Sequence, residues 1–169
     1  TSYNPPEGYD WGQGYYWRID EVQADGTVNK GNVWSFWIAD YLVVEDFEDY
    51  NDFEPDTVWN TWSDGYGIPT NGSTAGYPDP DFVAGEHYLE DIIIHGGRWS
   101  MPLFYDNTSD RISEVTRTFN SDMNNWTREG VGVLTLFYYG DPNNTPEQMF
   151  VVIDGVVVDN DDASAALAT

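Results

Sequence analysis

Apolar and polar residues alternate in short runs separated by turn-forming residues, which is the pattern of β-structure. Residues 15–22 (YYWRIDEV) set Tyr15, Trp17 and Ile19 on one face and Arg18 and Asp20 on the other. Residues 33–39 (VWSFWIA) form a second aromatic run, and Ala24-Asp25-Gly26-Thr27 between the two supplies turn chemistry. Together they predict a hairpin with a long connection. Residues 41–47 (YLVVEDF) predict a third strand. A loop-rich stretch follows from 48 to 85, broken by Pro55, Pro69, Pro78 and Pro80, with a short strand predicted at 58–63 (VWNTWS). Further strands are expected at 89–95, 100–105 and 114–119, each ending at turn residues. Residues 131–139 (VGVLTLFYY) are apolar on both faces, as a central strand covered on both sides should be. Asp154-Gly155, flanked by 149–153 and 156–158, is the strongest hairpin signal. Only 163–168 reads as helical. The expectation is an all-β chain, an antiparallel β-sandwich.

Charge narrows the partners. The 169 residues carry 30 acidic and 6 basic side chains, a formal charge of −24. The bases Arg18, Lys30, Arg98, Arg111, Arg117 and Arg128 are scattered and form no stripe, so binding to nucleic acid or to anionic membranes is not expected. No apolar run reaches the ~20 residues needed to cross a bilayer, so no membrane insertion is expected either. The acidic field attracts divalent cations and suits a solvated surface in a salty or extracellular setting. An aromatic content of 17% sets the chain apart from a disordered acidic tail.

Catalytic signals are sparse. The absence of cysteine excludes a disulfide framework, a thiolate metal site and a cysteine nucleophile. His87 and His95 stand eight apart, outside any HExxH spacing, and no G-x-S-x-G elbow occurs. Nothing singles out two of the carboxylates as a glycosidase pair. The chain is therefore read as non-catalytic.

Two segments carry a resemblance. Tyr15-Tyr16-Trp17-Arg18-Ile19-Asp20-Glu21 followed by Gly31-Asn32-Val33-Trp34-Ser35-Phe36 resembles the last two strands of a fibronectin type III-like domain. The stretch from Leu42-Val43-Val44-Glu45-Asp46-Phe47-Glu48 onward resembles a jelly-roll module of very large bacterial surface and secreted proteins, similar to laminin-G-like and carbohydrate-binding jelly rolls. Its further marks are Ile94-His95-Gly96-Gly97, Ser100-Met101-Pro102-Leu103, Tyr105-Asp106-Asn107, Arg117-Thr118-Phe119, Trp126-Thr127 and Phe137-Tyr138-Tyr139-Gly140-Asp141-Pro142. The resemblance implies a fibronectin-like hairpin over 1–40 and a partial jelly-roll sandwich over 41–169, with no catalytic role. It also implies that the module normally continues past 163–168. With Thr1-Ser2-Tyr3 at the start, the chain is expected to be processed or excerpted from a longer one. Sheet edges left without their usual strands recruit others, within the chain or from a neighbour.

Three sets of candidate site residues follow. Tyr15, Trp17, Trp34, Phe36 and Trp37 are the expected assembly surface, with Trp17, Trp34 and Trp37 buried in a core or a subunit contact. Five carboxylates crowd into 45–52 and three into 159–162, and calcium takes six to eight such oxygens. The segment at Asp159 lacks the glycine and terminal glutamate of an EF-hand loop. The resemblance points instead to Glu45, Asp46 and Glu48 as calcium ligands, because related jelly rolls often hold a structural calcium near their first strand. Trp59, Trp62 and Tyr66, in the glycine- and proline-rich stretch, could stack sugar rings. The leading expectation is an extracellular or cell-surface structural protein. It would associate with copies of itself or with adjacent modules by strand complementation, and a head-to-tail contact of that kind builds a filament. The alternative is a carbohydrate-binding module of a secreted polysaccharide-degrading system.

Overall fold

The computed structural model describes residue 5, residues 7–108, 111–121 and 123–158, and the backbone of 167–168. The fold is all-β, built of small antiparallel two-stranded sheets with almost no helix. The chain divides into two compact units, Thr1–Glu45 with Phe119–Gly132, and Asp46–Thr118 with Val133–Thr169.

In the first unit β1 (Gly14–Trp17) pairs with β4 (Trp34–Trp37), in the register Tyr15 opposite Phe36 and Trp17 opposite Trp34. Between them β2 (Glu21–Val22) pairs with β3 (Val28–Asn29). Their turn is closed by Gln23 N–H to Thr27 O at 2.9 Å and by Thr27 N–H to Asp25 Oδ1 at 2.9 Å. The expected strand over 15–22 is thus broken in its middle. Asp20 pairs with Arg18 at 3.0 Å and accepts the Gly31 N–H at 3.1 Å, so side chains replace a rung of the ladder there. Only glycine fits at position 31, because a Cβ would collide with the Ile19 carbonyl.

The third expected strand, 41–47, does not form. Leu42, Val43 and Val44 instead line a hollow of about 120 Å³ with Met123, Trp126 and Arg128. Trp126 is held there by its Nε1–H on the Met123 carbonyl at 2.7 Å and by an edge-on contact with Phe119.

The second unit holds the core, which consists of Tyr50, Val58, Leu89 and Trp99, with Phe47, Trp59, Trp62 and Met101 packed against them. The expected strand at 58–63 is half helix: α1 (Val58–Thr61) is one turn, followed by β5 (Trp62–Ser63). Asn60 explains the turn, since its amide donates back to Thr57 Oγ1 at 2.8 Å and to the Pro55 carbonyl at 3.0 Å, and also reaches Glu54. Two strand pairings and two single bridges accompany this core. β5 pairs with β8 (Thr116–Arg117), β6 (Thr74–Ala75) with β7 (Leu103–Phe104), and single bridges join Asn71 to Ile112 and Glu90 to Ser100. The expected strand at 89–95 shrinks to that Glu90 bridge, because the Ile92 and Ile93 amides turn onto Glu90 Oε1. The strands expected over 100–105 and 114–119 shorten to β7 and β8.

Farther along, β9 (Glu147–Gln148) pairs with β12 (Leu167–Ala168). Leu167–Ala168 is therefore extended, against the helical expectation, and 163–166 lie outside the described residues. β10 (Val151–Ile153) and β11 (Val156–Val158) form the hairpin expected at Asp154-Gly155. Both turn residues take positive φ, 51° and 78°, as a two-residue loop matched to strand twist requires. The central strand expected at 131–139 is absent, and Val133, Leu136, Phe137 and Tyr139 are exposed. A strand apolar on both faces needs a sheet beside it and cover above and below. The short pairs of this fold supply neither.

Val58 is fully buried at the centre of the core. Val58→Ala is expected to lower stability by about 2 kcal/mol, read as a lower urea midpoint at unchanged slope. A loss under about 0.5 kcal/mol would mean that the cluster is not the core.

Candidate functional site

Strand alternation sorts the hairpin aromatics onto two faces. Tyr15, Trp17, Trp34 and Phe36 share one face. Trp37 lies on the other, over Gly14, where a Cβ would come within 2.9 Å of the indole. On the first face Tyr15 stacks on Phe36 with centroids 5.7 Å apart, and Trp17 on Trp34 at 6.1 Å. Tyr9 caps the pair edge-on, 4.9 Å from Tyr15 and 5.2 Å from Phe36, and the Asp10 N–H donates to the Tyr15 hydroxyl oxygen at 2.7 Å. Tyr9 precedes the predicted strand and breaks no pattern, so the sequence alone does not flag it. The tryptophans expected to be buried are open: Trp17, Trp34 and Trp37 are 48%, 58% and 69% exposed. Of the two burials expected, a core within this chain is thereby removed.

The three candidate sugar-stacking residues are not one platform. Trp59 packs edge-on against Tyr88 at 4.4 Å, and Trp62 tilts against Phe47 with the Arg117 guanidinium 5.9 Å from its ring. Both are half-buried parts of the core periphery. Tyr66 alone is exposed, at 74%.

The acidic residues do more than face water. Glu45 ends the first unit, and Asp46 and Glu48 begin the second. Asp46 Oδ1 accepts the Glu48 N–H at 3.2 Å. Glu48 Oε1 accepts two backbone amides from the far side of the unit, Arg98 at 2.7 Å and Trp99 at 3.0 Å. Its carboxyl is held below the ordinary range by the Arg98 amide first and the Trp99 amide second. Among the described residues no three carboxylate or imidazole groups converge as metal ligands. Residues 159–162 lie outside the described residues.

The same device recurs. Asp52 Oδ1 accepts the Tyr88 amide at 3.0 Å while its Oδ2 sits 2.6 Å from His87 Nδ1, and His87 lies edge-on to Trp99. Asp64 takes the amides of Tyr66 and Ala75. Glu90 takes those of Ile92 and Ile93 on one oxygen and the Tyr77 hydroxyl on the other, at 2.5 Å. Hydrogen bonding to Tyr77 is the main cause that lowers the Glu90 carboxyl, and the same bond is the main cause that pushes the Tyr77 phenol up to about 12. His95 lies flat on Phe137, centroids 3.5 Å apart. Comparison with known protein families, with curated proteins and with solved structures finds no match to this chain.

Glu48 and Glu90 have depressed pKa values, so the stability they supply is complete above about pH 4.5 and lost as pH falls through their folded values. The unfolding midpoint should therefore drop on acidification, and the double variant Glu48→Gln/Glu90→Gln should be weaker at neutral pH with a flatter acid limb. An unchanged acid limb would dismiss both anchors. At the alkaline end, the neutral Tyr77 phenol supplies stability that is whole below pH 10.0 and lost as pH rises through about 12. Tyr77→Phe should remove that alkaline decline, measured by the same unfolding series.

Proposed function

We propose that this chain is a non-catalytic structural protein of the extracellular or cell-surface space. In this reading it is a jelly-roll-like sandwich in its assembled state and associates with copies of itself or adjacent modules by strand complementation through the aromatic hairpin. The observation that carries the proposal is the aromatic face of β1 and β4, where Trp17, Trp34 and Phe36 are exposed beside a half-buried Tyr15 on a sheet of only two strands. Two-stranded sheets are marginal in water alone, and each strand here keeps an outer edge of backbone donors and acceptors that no third strand takes among the described residues. Strand addition satisfies that edge and buries the ring faces in one step. A contact that joins one subunit's hairpin to a different patch on the next does not close, and so builds a filament.

Charge sets the conditions. At −24 per chain, copies repel one another, and the repulsion shortens to about 8 Å in reach at physiological ionic strength. Association should therefore strengthen as salt is raised, opposite to an assembly held by ion pairs.

Sedimentation velocity over a range of protein concentration and salt tests this. The wild type should shift to larger species with added salt, while Trp34→Ser and Trp17→Ser should stay monomeric and still melt cooperatively. A wild type that is monomeric at every salt and concentration removes the proposal.

A further inference from the structure

A second feature of the molecule lies away from the hairpin and from the Trp59 and Trp62 positions. Residues 65–74 and the pair Asp106–Arg111 enclose an open groove of about 470 Å³, within the range of small-molecule sites. Its floor is preorganised. Asn71 donates to the Glu114 carbonyl at 2.9 Å and accepts the Glu114 and Ser73 amides, both at 3.1 Å. Ser73 Oγ donates to the same Glu114 carbonyl at 2.6 Å and accepts the Gly65 N–H at 2.9 Å. Gly72 exchanges backbone bonds with Ile112 and Asp106, and a Cβ there would collide with the Asp106 carbonyl.

Three of the lining side chains are open to solvent. The Tyr66 ring is 74% exposed. Arg111 Nη1 lies 2.9 Å from Asp106 Oδ2, and both side chains reach solvent. The second Asp106 oxygen is occupied by the Thr108 amide at 3.0 Å and hydroxyl at 2.6 Å, which fixes the carboxylate plane. A planar acceptor beside a planar donor fork matches two neighbouring hydroxyls, and an exposed aromatic ring matches the C–H face of a pyranose. Other ligand classes fit less well. The groove is too open and polar for a lipid, the Arg111 charge disfavours a cation, and the net −24 of the chain disfavours uronates, sulfated glycans and phosphates.

We infer that this groove is a binding subsite for a neutral saccharide, with Tyr66 as the stacking platform and Asp106 and Arg111 as the hydroxyl-reading pair. The inference is independent of the hairpin assembly and can be tested in its absence.

Native affinity electrophoresis of the full chain in gels containing galactomannan, xyloglucan or mixed-linkage β-glucan, with polygalacturonate as the charged control, is the direct experiment. At least one neutral polymer should retard the wild type and the Trp34→Ser variant alike. Tyr66→Ala and Arg111→Gln should each weaken retardation about tenfold, and Phe53→Ala, an exposed aromatic elsewhere on the same unit, should leave it unchanged. Retardation is read for each variant against its own mobility in a blank gel, and cooperative melting of each variant establishes that it folds. The assignment fails if no neutral polymer retards the protein, if retardation survives both groove substitutions, or if polygalacturonate retards it more than the neutral polymers do.

Discussion

Carboxylate oxygens that capture backbone N–H groups hold the larger unit together, and much of the architecture follows from them. Its ladders are two or three residues long, so cross-strand bonding alone ties few segments to one another. Glu48 reaches the amides of Arg98 and Trp99 across 50 and 51 residues of chain, and Asp52 reaches Tyr88 across 36. These bonds bring 47–52, 87–90 and 98–101 around Val58, and so position the core residues Tyr50, Leu89 and Trp99. Bonds with an ionised acceptor are roughly twice as strong as neutral ones. A chain rich in Asp and Glu thus has a ready supply of anchors. The same choice links folding to pH, since an anchor that gains a proton is a weaker acceptor.

The high acidic content therefore has two separate effects. Locally, carboxylates such as Glu48, Asp52 and Glu90 are attractive because they meet donors at hydrogen-bond distance. Globally, 30 acids against 6 bases repel, and the repulsion acts between copies as well as within one. The hairpin aromatics oppose it. Their attraction comes from burial of ring faces, which salt does not screen, whereas the repulsion is screened. An assembly built on this balance responds to ionic strength in the sense opposite to one built on salt bridges.

The hairpin and the groove are held by different kinds of contact. Stacked pairs across β1 and β4 hold the aromatic face, each ring fixed by its partner on the opposite strand. A mesh of side-chain bonds centred on the Glu114 backbone holds the groove, with glycines where loops approach too closely for a side chain. The first surface is apolar and broad, suited to another protein surface. The second is open and polar with one exposed ring, suited to a small hydroxylated ligand.

The sequence by itself determined what depends on neighbours along the chain. Alternation placed Tyr15 and Trp17 on one face, Asp154-Gly155 marked a hairpin that forms, and the absence of helical periodicity over any long stretch marked an all-β fold; the register that sets Trp34 and Phe36 on that same face and Trp37 on the other came from the structure. It misjudged 41–47 and 131–139, whose apolar runs read as strands. A strand exists only where a partner is aligned beside it, and hydropathy does not say whether one is. It also placed Trp59, Trp62 and Tyr66 together, although the first two turn inward to the core and the third outward to the groove. Only the tertiary structure decided that Glu48 meets Arg98, that Asn71 meets Glu114, and that Asp106, Arg111 and Tyr66 line a shared groove. These contacts join residues far apart in the chain through single polar atoms. No periodicity or composition encodes which of thirty similar carboxylates ends beside which amide.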